Sequence, residues 1–200
     1  MPPLKFYFMK QIIIGFALML LLHFGYTVSA QEKNAAEICY NPNAKGDTTK
    51  RSIKSAAIGN IAPASIKINY HSPGVRGRTI WGGLVPYGEV WVTGAHNATN
   101  IEIDKDFKVN GVAIPKGKYA FFTIPGKNEW TIIINKNWNQ HLADDYQQTE
   151  DLVRIKVQPI RQPANSERLQ FFINDKGNNN GSISMLWENI KIELELVVDR

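Results

Sequence analysis

From Ile66 onward the chain alternates apolar and polar residues with a period of two. Ile66, Ile68 and Tyr70 alternate with Lys67, Asn69 and His71, the pattern of a strand with one face in a core and the other in water. Ile101 and Ile103 alternate with Glu102 and Asp104, and Asn110-Gly111 joins Phe107-Lys-Val109 to Val112-Ala-Ile114. Asn-Gly between β-prone runs predicts a hairpin, because both residues tolerate positive φ. Lys118 to Ile124 is apolar on both faces and predicts a central strand. Trp130 to Ile134 follows after Pro125-Gly126, and these four segments together read as a meander. Val90-Trp91-Val92 predicts a short strand ahead of them. Further on, Val153 to Val157, Leu169 to Ile173, Ser182 to Trp187 and Ile190 to Val198 each predict a strand.

About ten short strands separated by turn formers indicate an all-β fold, an antiparallel two-sheet β-sandwich of jelly-roll or immunoglobulin-like topology. Between residues 137 and 150 the alternation stops, and Trp138, Leu142 and Tyr146 recur at spacing four, which predicts one short helix or ordered loop. Residues 31–63 are poor in large apolar side chains and read as a flexible lead-in, with an early strand near Ile53 to Ile58. The single sandwich domain is expected over 64–200.

The first thirty residues follow a different pattern. Lys5 and Lys10 precede an apolar run from Ile12 to Phe24, and Val28-Ser29-Ala30 supplies a small-residue cleavage site. That is the arrangement of a secretory signal peptide over 1–30, with an apolar run shorter than the roughly 20 residues of a spanning helix. The expected location is exported, periplasmic or extracellular, with no membrane contact after cleavage. Removing the leader takes away two lysines and no acid, so the formal charge falls from +5 to +3. The remaining basic residues are scattered rather than striped, which argues against nucleic acid. Cys39 is the only cysteine and has no partner for an internal disulfide.

Unusual chemistry concentrates between His71 and Thr99, which holds two tryptophans, two histidines, Arg76, Arg78 and Tyr87. Several runs in and beyond this stretch carry a family likeness. His71-Ser-Pro-Gly-Val-Arg-Gly-Arg78, Gly83-Leu-Val-Pro-Tyr-Gly-Glu-Val-Trp91, Thr93-Gly-Ala95, Ala98-Thr99, Pro115-Lys-Gly-Lys-Tyr119, Phe122-Thr-Ile-Pro-Gly126, Glu129-Trp130, Asn135-Lys136 and Trp187-Glu-Asn189 resemble the bacterial exported proteins grouped as domain of unknown function 2911. The likeness covers roughly Ile66 to Val198. It implies export and a β-rich fold, and it transfers no catalytic residue. Family members often have Trp-Arg-Thr-Gly-Ala-Asn-Glu-Ala-Thr where this chain has Trp91-Val-Thr-Gly-Ala-His96-Asn97-Ala-Thr99, so an arginine and an acid of the family pattern are absent here.

Three classes of function compete on these residues. A recognition surface is expected from Arg76, Arg78, Trp81, Tyr87, Thr93, His96 and Asn97, whose rings stack on sugars and whose guanidinium groups fork to oxyanions. Its partner would be a glycan, a small anionic ligand or an envelope protein, and no cofactor is needed. The rival is a metal-dependent hydrolase, with zinc held by His71, His96 and His141; three imidazoles with one open position can activate water. Their spacing contains no His-Glu-x-x-His and does not by itself bring them together. The third class is a structural envelope protein without a small ligand. No catalytic triad is assigned, since no Gly-x-Ser-x-Gly elbow is present.

Overall fold

The computed structural model describes residues 50–199, all within one compact unit. The fold is an antiparallel two-sheet sandwich. Its strands are β1 (Ser52–Ile61), β2 (Ala64–Pro73), β3 (Asn100–Ile103), β4 (Phe107–Val109), β5 (Val112–Ile114), β6 (Gly117–Ile124), β7 (Trp130–Asn135), β8 (Asp151–Val157), β9 (Ile160–Gly177) and β10 (Asn180–Val198). One sheet runs β1-β2-β3-β6-β7-β8 and the other β5-β4-β10-β9. No α-helix occurs among the described residues; the only helical piece is a 3-10 turn at Gln148–Glu150.

The alternation read from sequence sorts side chains between core and water. On β2, Ile66, Ile68 and Tyr70 are buried between the sheets while Ser65, Lys67, Asn69 and His71 face outward. They meet the inward row of the other sheet, including Phe171, Ile183, Met185 and Trp187. Each fully buried aliphatic or aromatic side chain stabilises the fold by about 1.5–3 kcal/mol relative to exposure. β6 is buried on both faces because it lies between β3 and β7 and is covered from outside. Ala120, Phe122 and Ile133 form a second, smaller cluster there with Val92 and Ala98, against which Ala143 and Tyr146 pack.

That outer cover is the 137–150 segment, an ordered loop. Tyr146 packs edge-on against Phe122 with ring centroids 5.4 Å apart. Its hydroxyl donates to Asp151 at 2.6 Å and accepts from Arg154 at 2.9 Å. Burial, reinforced by the Asp151 carboxylate, pushes the Tyr146 phenol up to about 12. Asn135 is fully buried; its Nδ2 donates to Gln147 O and Asp151 Oδ1, while its Oδ1 accepts from the backbone N–H of Asn137. The spacing-four apolar residues thus serve a loop pinned by hydrogen bonds, not a helix.

Three expectations change. The early strand expected near Ile53 to Ile58 is present as β1, but it pairs into the sheet rather than belonging to a flexible lead-in, so the sandwich begins at Ser52 rather than at 64. Its packing positions are filled by Ser55, Ala56 and Gly59, which sit close against their neighbours; Gly59 would bring a Cβ within 3.1 Å of Ile173. Small residues give no hydrophobic signal. The expected meander is interrupted, because the β4–β5 hairpin leaves β3 and pairs with β10 in the opposite sheet before β6 returns beside β3. Val90 to Val92 forms no extended strand; Trp91 alone bridges to Thr123. The leader at 1–30 and the lead-in as far as residue 49 lie outside the described residues. Among the described residues no helix is long and apolar enough to cross a membrane.

Candidate functional site

The long connection from β2 to β3 folds over the end of the sandwich where β1 begins and β2 ends. Its backbone is tied down at each step. Val75 N–H donates to Glu167 O, Trp91 and Thr123 exchange both backbone hydrogen bonds, Ala95 N–H donates to His71 O, and Leu142 N–H donates to His96 O at 2.7 Å. Close approach demands small residues at two points. A Cβ on Gly83 would lie 2.5 Å from Thr79 O, and one on Gly94 would lie 3.0 Å from His71 O.

Beneath this connection four tryptophans form one cluster. Trp81 meets Trp130, Trp187 and Trp91 edge-on at 4.9, 5.7 and 5.9 Å, and Trp91 stacks on Trp187 at 5.8 Å with planes 23° apart. Such pairs contribute about 0.5–1.5 kcal/mol each beyond the area they bury. Trp91 Nε1 donates to Gly94 O at 3.0 Å. The indole N–H groups of Trp81 and Trp187 are buried with no acceptor among the described residues, an arrangement that costs about 1–3 kcal/mol per group.

A cleft of about 310 Å³ opens beside the cluster. Trp91, Trp187, Val85 and Val92 give it an apolar floor, and Leu84 and Leu142 stand on its rim. Its ionisable walls are Arg51, Arg78 and His96, and no carboxylate among the described residues lines it. Arg78 is fixed by donation from Nη2 to Gly74 O and from Nε to Val75 O. Lys50 and Arg51 are held from behind by Arg168, a buried guanidinium on β9 that donates to Lys50 O, Arg51 O and Ser72 O. A wider depression of about 560 Å³ lies over the outer face of β1, β2, β3 and β6. Its walls mix Lys67, Lys116 and Lys118 with Glu102 and Asp104, the usual solvated surface of a sheet, and it holds no histidine or tryptophan.

At the mouth of the smaller cleft the two histidines meet. His71 points outward from β2, His96 sits at the tip of the 93–99 loop, and their rings are edge to face with centroids 5.1 Å apart. His96 Nε2 and Ser52 Oγ share a hydrogen bond of 2.8 Å. Partial burial, then the neighbouring His96 and Lys54, hold the His71 imidazole below its ordinary 6.5. His141 lies one backbone bridge away, opposite Asn97, but its ring turns to Asp144 at 3.4 Å. Among the described residues no three His, Cys, Asp or Glu side chains come together as a metal-ligand group.

Of the residues expected to bind, Arg78 and His96 line the cleft. Trp81 sits behind it in the tryptophan cluster. Thr93 is fully buried rather than presented, its hydroxyl 3.0 Å from Thr123 Oγ1. Arg76 is exposed, with its backbone N–H on Glu167 Oε1. Tyr87 is 38% exposed and packs over Gly82, and Asn97 faces water beside His141; none of these three lines the cleft. Arg51, Ser52, Leu142 and Trp187 belong to it without having been singled out, although the Trp187-Glu188-Asn189 run stood among the family-like motifs.

Backbone strain gathers in the same place. Arg76, Thr93, His96, Leu142 and Glu188 all have left-handed φ between 51 and 60°, each a conformation that costs a non-glycine residue about 1–3 kcal/mol. Thr93 is β-branched, which makes its position there the most costly of the five. Strain that the surroundings over-determine tends to cluster where a protein holds a ligand. No curated protein and no solved structure matches the chain. The family described as "Protein of unknown function (DUF2911)" matches residues 52–196, from the first residue of β1 into β10, and the chain belongs to that family.

Proposed function

We propose that the protein is an exported, non-catalytic binding module that takes a small anionic ligand with an apolar or ring-shaped body into the cleft at the end of its sandwich. The observation that carries this reading is the composition of the cleft: Arg51, Arg78 and His96 on the walls, no carboxylate among the described residues that line it, and the partly exposed indole of Trp91 on the floor. Guanidinium groups supply forked donors to an oxyanion, and the indole floor supplies flat apolar area to a ring. Export rests on the leader-like pattern of residues 1–30 and is tested by finding Gln31 at the N-terminus of the protein recovered from the cell envelope or medium.

Thermal-shift screening of the purified protein against matched pairs, such as benzoate with benzyl alcohol and a hexuronic acid with its neutral hexose, tests the binding reading. The acids are expected to raise the melting temperature and the neutral partners to leave it unchanged, and Arg78→Ala is expected to abolish the difference. Equal shifts from acid and neutral partners, or no shift from either, overturn it. The contact between His71 and His96 favours a second reading, a metal-assisted hydrolase. Metal analysis after zinc loading decides it: one equivalent retained and lost in His96→Ala supports the hydrolase, and none retained removes it.

A further inference from the structure

Resting on the binding reading above, we propose that the ligand of the cleft is an acyl-chain acid. Its single oxyanion head is held by Arg51 and Arg78, and its aliphatic tail crosses Trp91 and leaves the protein past Leu84 and Leu142. The first observation is how few neutral polar groups the lining offers. Among the described residues that line the cleft there is no Asn, Gln, Asp, Glu, Thr or Tyr. Ser52 Oγ is already joined to His96 Nε2 at 2.8 Å, and Trp91 Nε1 donates to Gly94 O at 3.0 Å. A sugar acid can place its carboxylate on the arginines, but its hydroxyls would meet few partners, and each buried hydroxyl left without one weakens binding. An acyl tail has no such groups to satisfy.

The second observation is where the accessible apolar surface lies. Val85, Val92 and Trp187 are buried and Trp91 is only partly exposed. The most exposed large apolar side chains of the lining are Leu84 and Leu142 on the rim, at 47% and 41%. A single exposed leucine is ordinary, but these two carry the apolar floor outward from separate segments. Leu84 N–H donates to Thr79 O, and Leu142 N–H donates to His96 O at 2.7 Å. Leu142 is held there at a left-handed φ of 51°, strain that persists only where the surroundings over-determine a residue's position. At the other end of this path Arg78 Nε and Nη2 are fixed on Val75 O and Gly74 O. Of its five donors the two on Nη1 are left for an oxyanion. A cationic wall that leads along an apolar floor to an apolar rim matches a head and a tail.

Calorimetric titration of butanoate, hexanoate, octanoate and decanoate, each below its micelle-forming concentration, tests this. Affinity is expected to rise by up to about fourfold per methylene along the shorter acids and to level off once the tail clears the rim. Octanoate is expected to bind at least about tenfold more tightly than a hexuronic acid. Leu142→Asn, whose side chain tolerates the left-handed φ, and Leu84→Asn on its exposed turn are expected to flatten the chain-length series while leaving butanoate unchanged. Equal affinity along the series, with butanoate and benzoate still bound, overturns the acyl-chain inference and leaves the anion-binding reading standing. Absence of binding by every acid overturns both. Acyl chains also occur in membrane lipids, and co-sedimentation with vesicles of an anionic phospholipid separates the two sources. Recovery of the protein in the supernatant supports a free acid as the ligand, and retention on the vesicles overturns that assignment.

Discussion

At the residue scale the chemistry of this end of the molecule is set by groups whose surroundings disfavour a further positive charge. His71 is the clearest case, because burial, His96 and Lys54 all act in the same direction on it. Its folded-state value lies below its ordinary 6.5, so the unfolded chain accepts the proton first as the medium becomes acid. The stability this neutral imidazole supports is complete above about pH 6.5 and is lost as pH falls through the folded value. Urea midpoints at about pH 7.5 and 5.5 should therefore fall more for the wild-type protein than for His71→Gln. A second, separate loss belongs to Glu193, which Lys191 at 2.7 Å above all, with smaller help from Ser182 and Lys176, holds down to about 2. That contribution is present above the ordinary carboxylate range and disappears only below it. The sequence drew attention to His96-Asn97 as the departure from the family pattern, and His96 does stand on the cleft wall. It gave no means of pairing His96 with Ser52, because that contact joins the first residue of β1 to a loop tip 44 positions away.

At the scale of elements, β10 shows how a broken pattern can mark one strand rather than two. Ile183, Met185 and Trp187 are buried at odd positions, and Ile190, Ile192, Leu194, Leu196 and Val198 at even ones. A change of parity reads in sequence as the end of one strand and the start of another. The backbone instead continues from Asn180 to Val198 and absorbs the change in irregularities between Leu186 and Ile190, with Glu188 in the left-handed region. A bulge inserts one residue and returns the apolar row to the same face. It is also what lets Trp187 reach the cleft while the strand beyond it keeps to the core. Glu188→Gly relieves the strained φ and is expected to raise stability by about 0.5–1 kcal/mol, read as a shift of the urea midpoint, with β-content unchanged. Glu188→Val, β-branched at the same φ, should lower it by at least as much. The alternation exposed nearly every other strand because one face is core and the other water. It missed the crossing of β4 and β5 because strand pairing depends on contacts with β10 that lie some ninety residues on.

For the whole molecule, the question is where the folding unit starts. The regular alternation of apolar and polar side chains begins only at Ile66, so the pattern places the boundary near 64, yet β1 closes one side of the sandwich. It pairs along its full length with β2, packs against β9, and buries Ser55, Ala56 and Ile61. The carbonyls of Lys50 and Arg51, just ahead of it, satisfy the buried Arg168 guanidinium. Removing β1 would strip the donors and acceptors from one edge of β2, expose Ile173 where Gly59 now covers it, and leave a buried cation short of acceptors. Loss of acceptors by a buried charged donor costs about 1.5–3 kcal/mol per hydrogen bond, a large share of the stability of a small domain. An exposed, apolar-backed edge strand also invites aggregation. A chain beginning at Ala64 is therefore expected to fail to give a soluble folded monomer, whereas one beginning at Gln31 should unfold cooperatively in urea. Far-ultraviolet circular dichroism and gel filtration of the two make the comparison. A soluble, cooperative 64–200 fragment would show that β1 is an accessory to the sandwich and that the Arg51–Ser52 wall of the cleft is separable from its core.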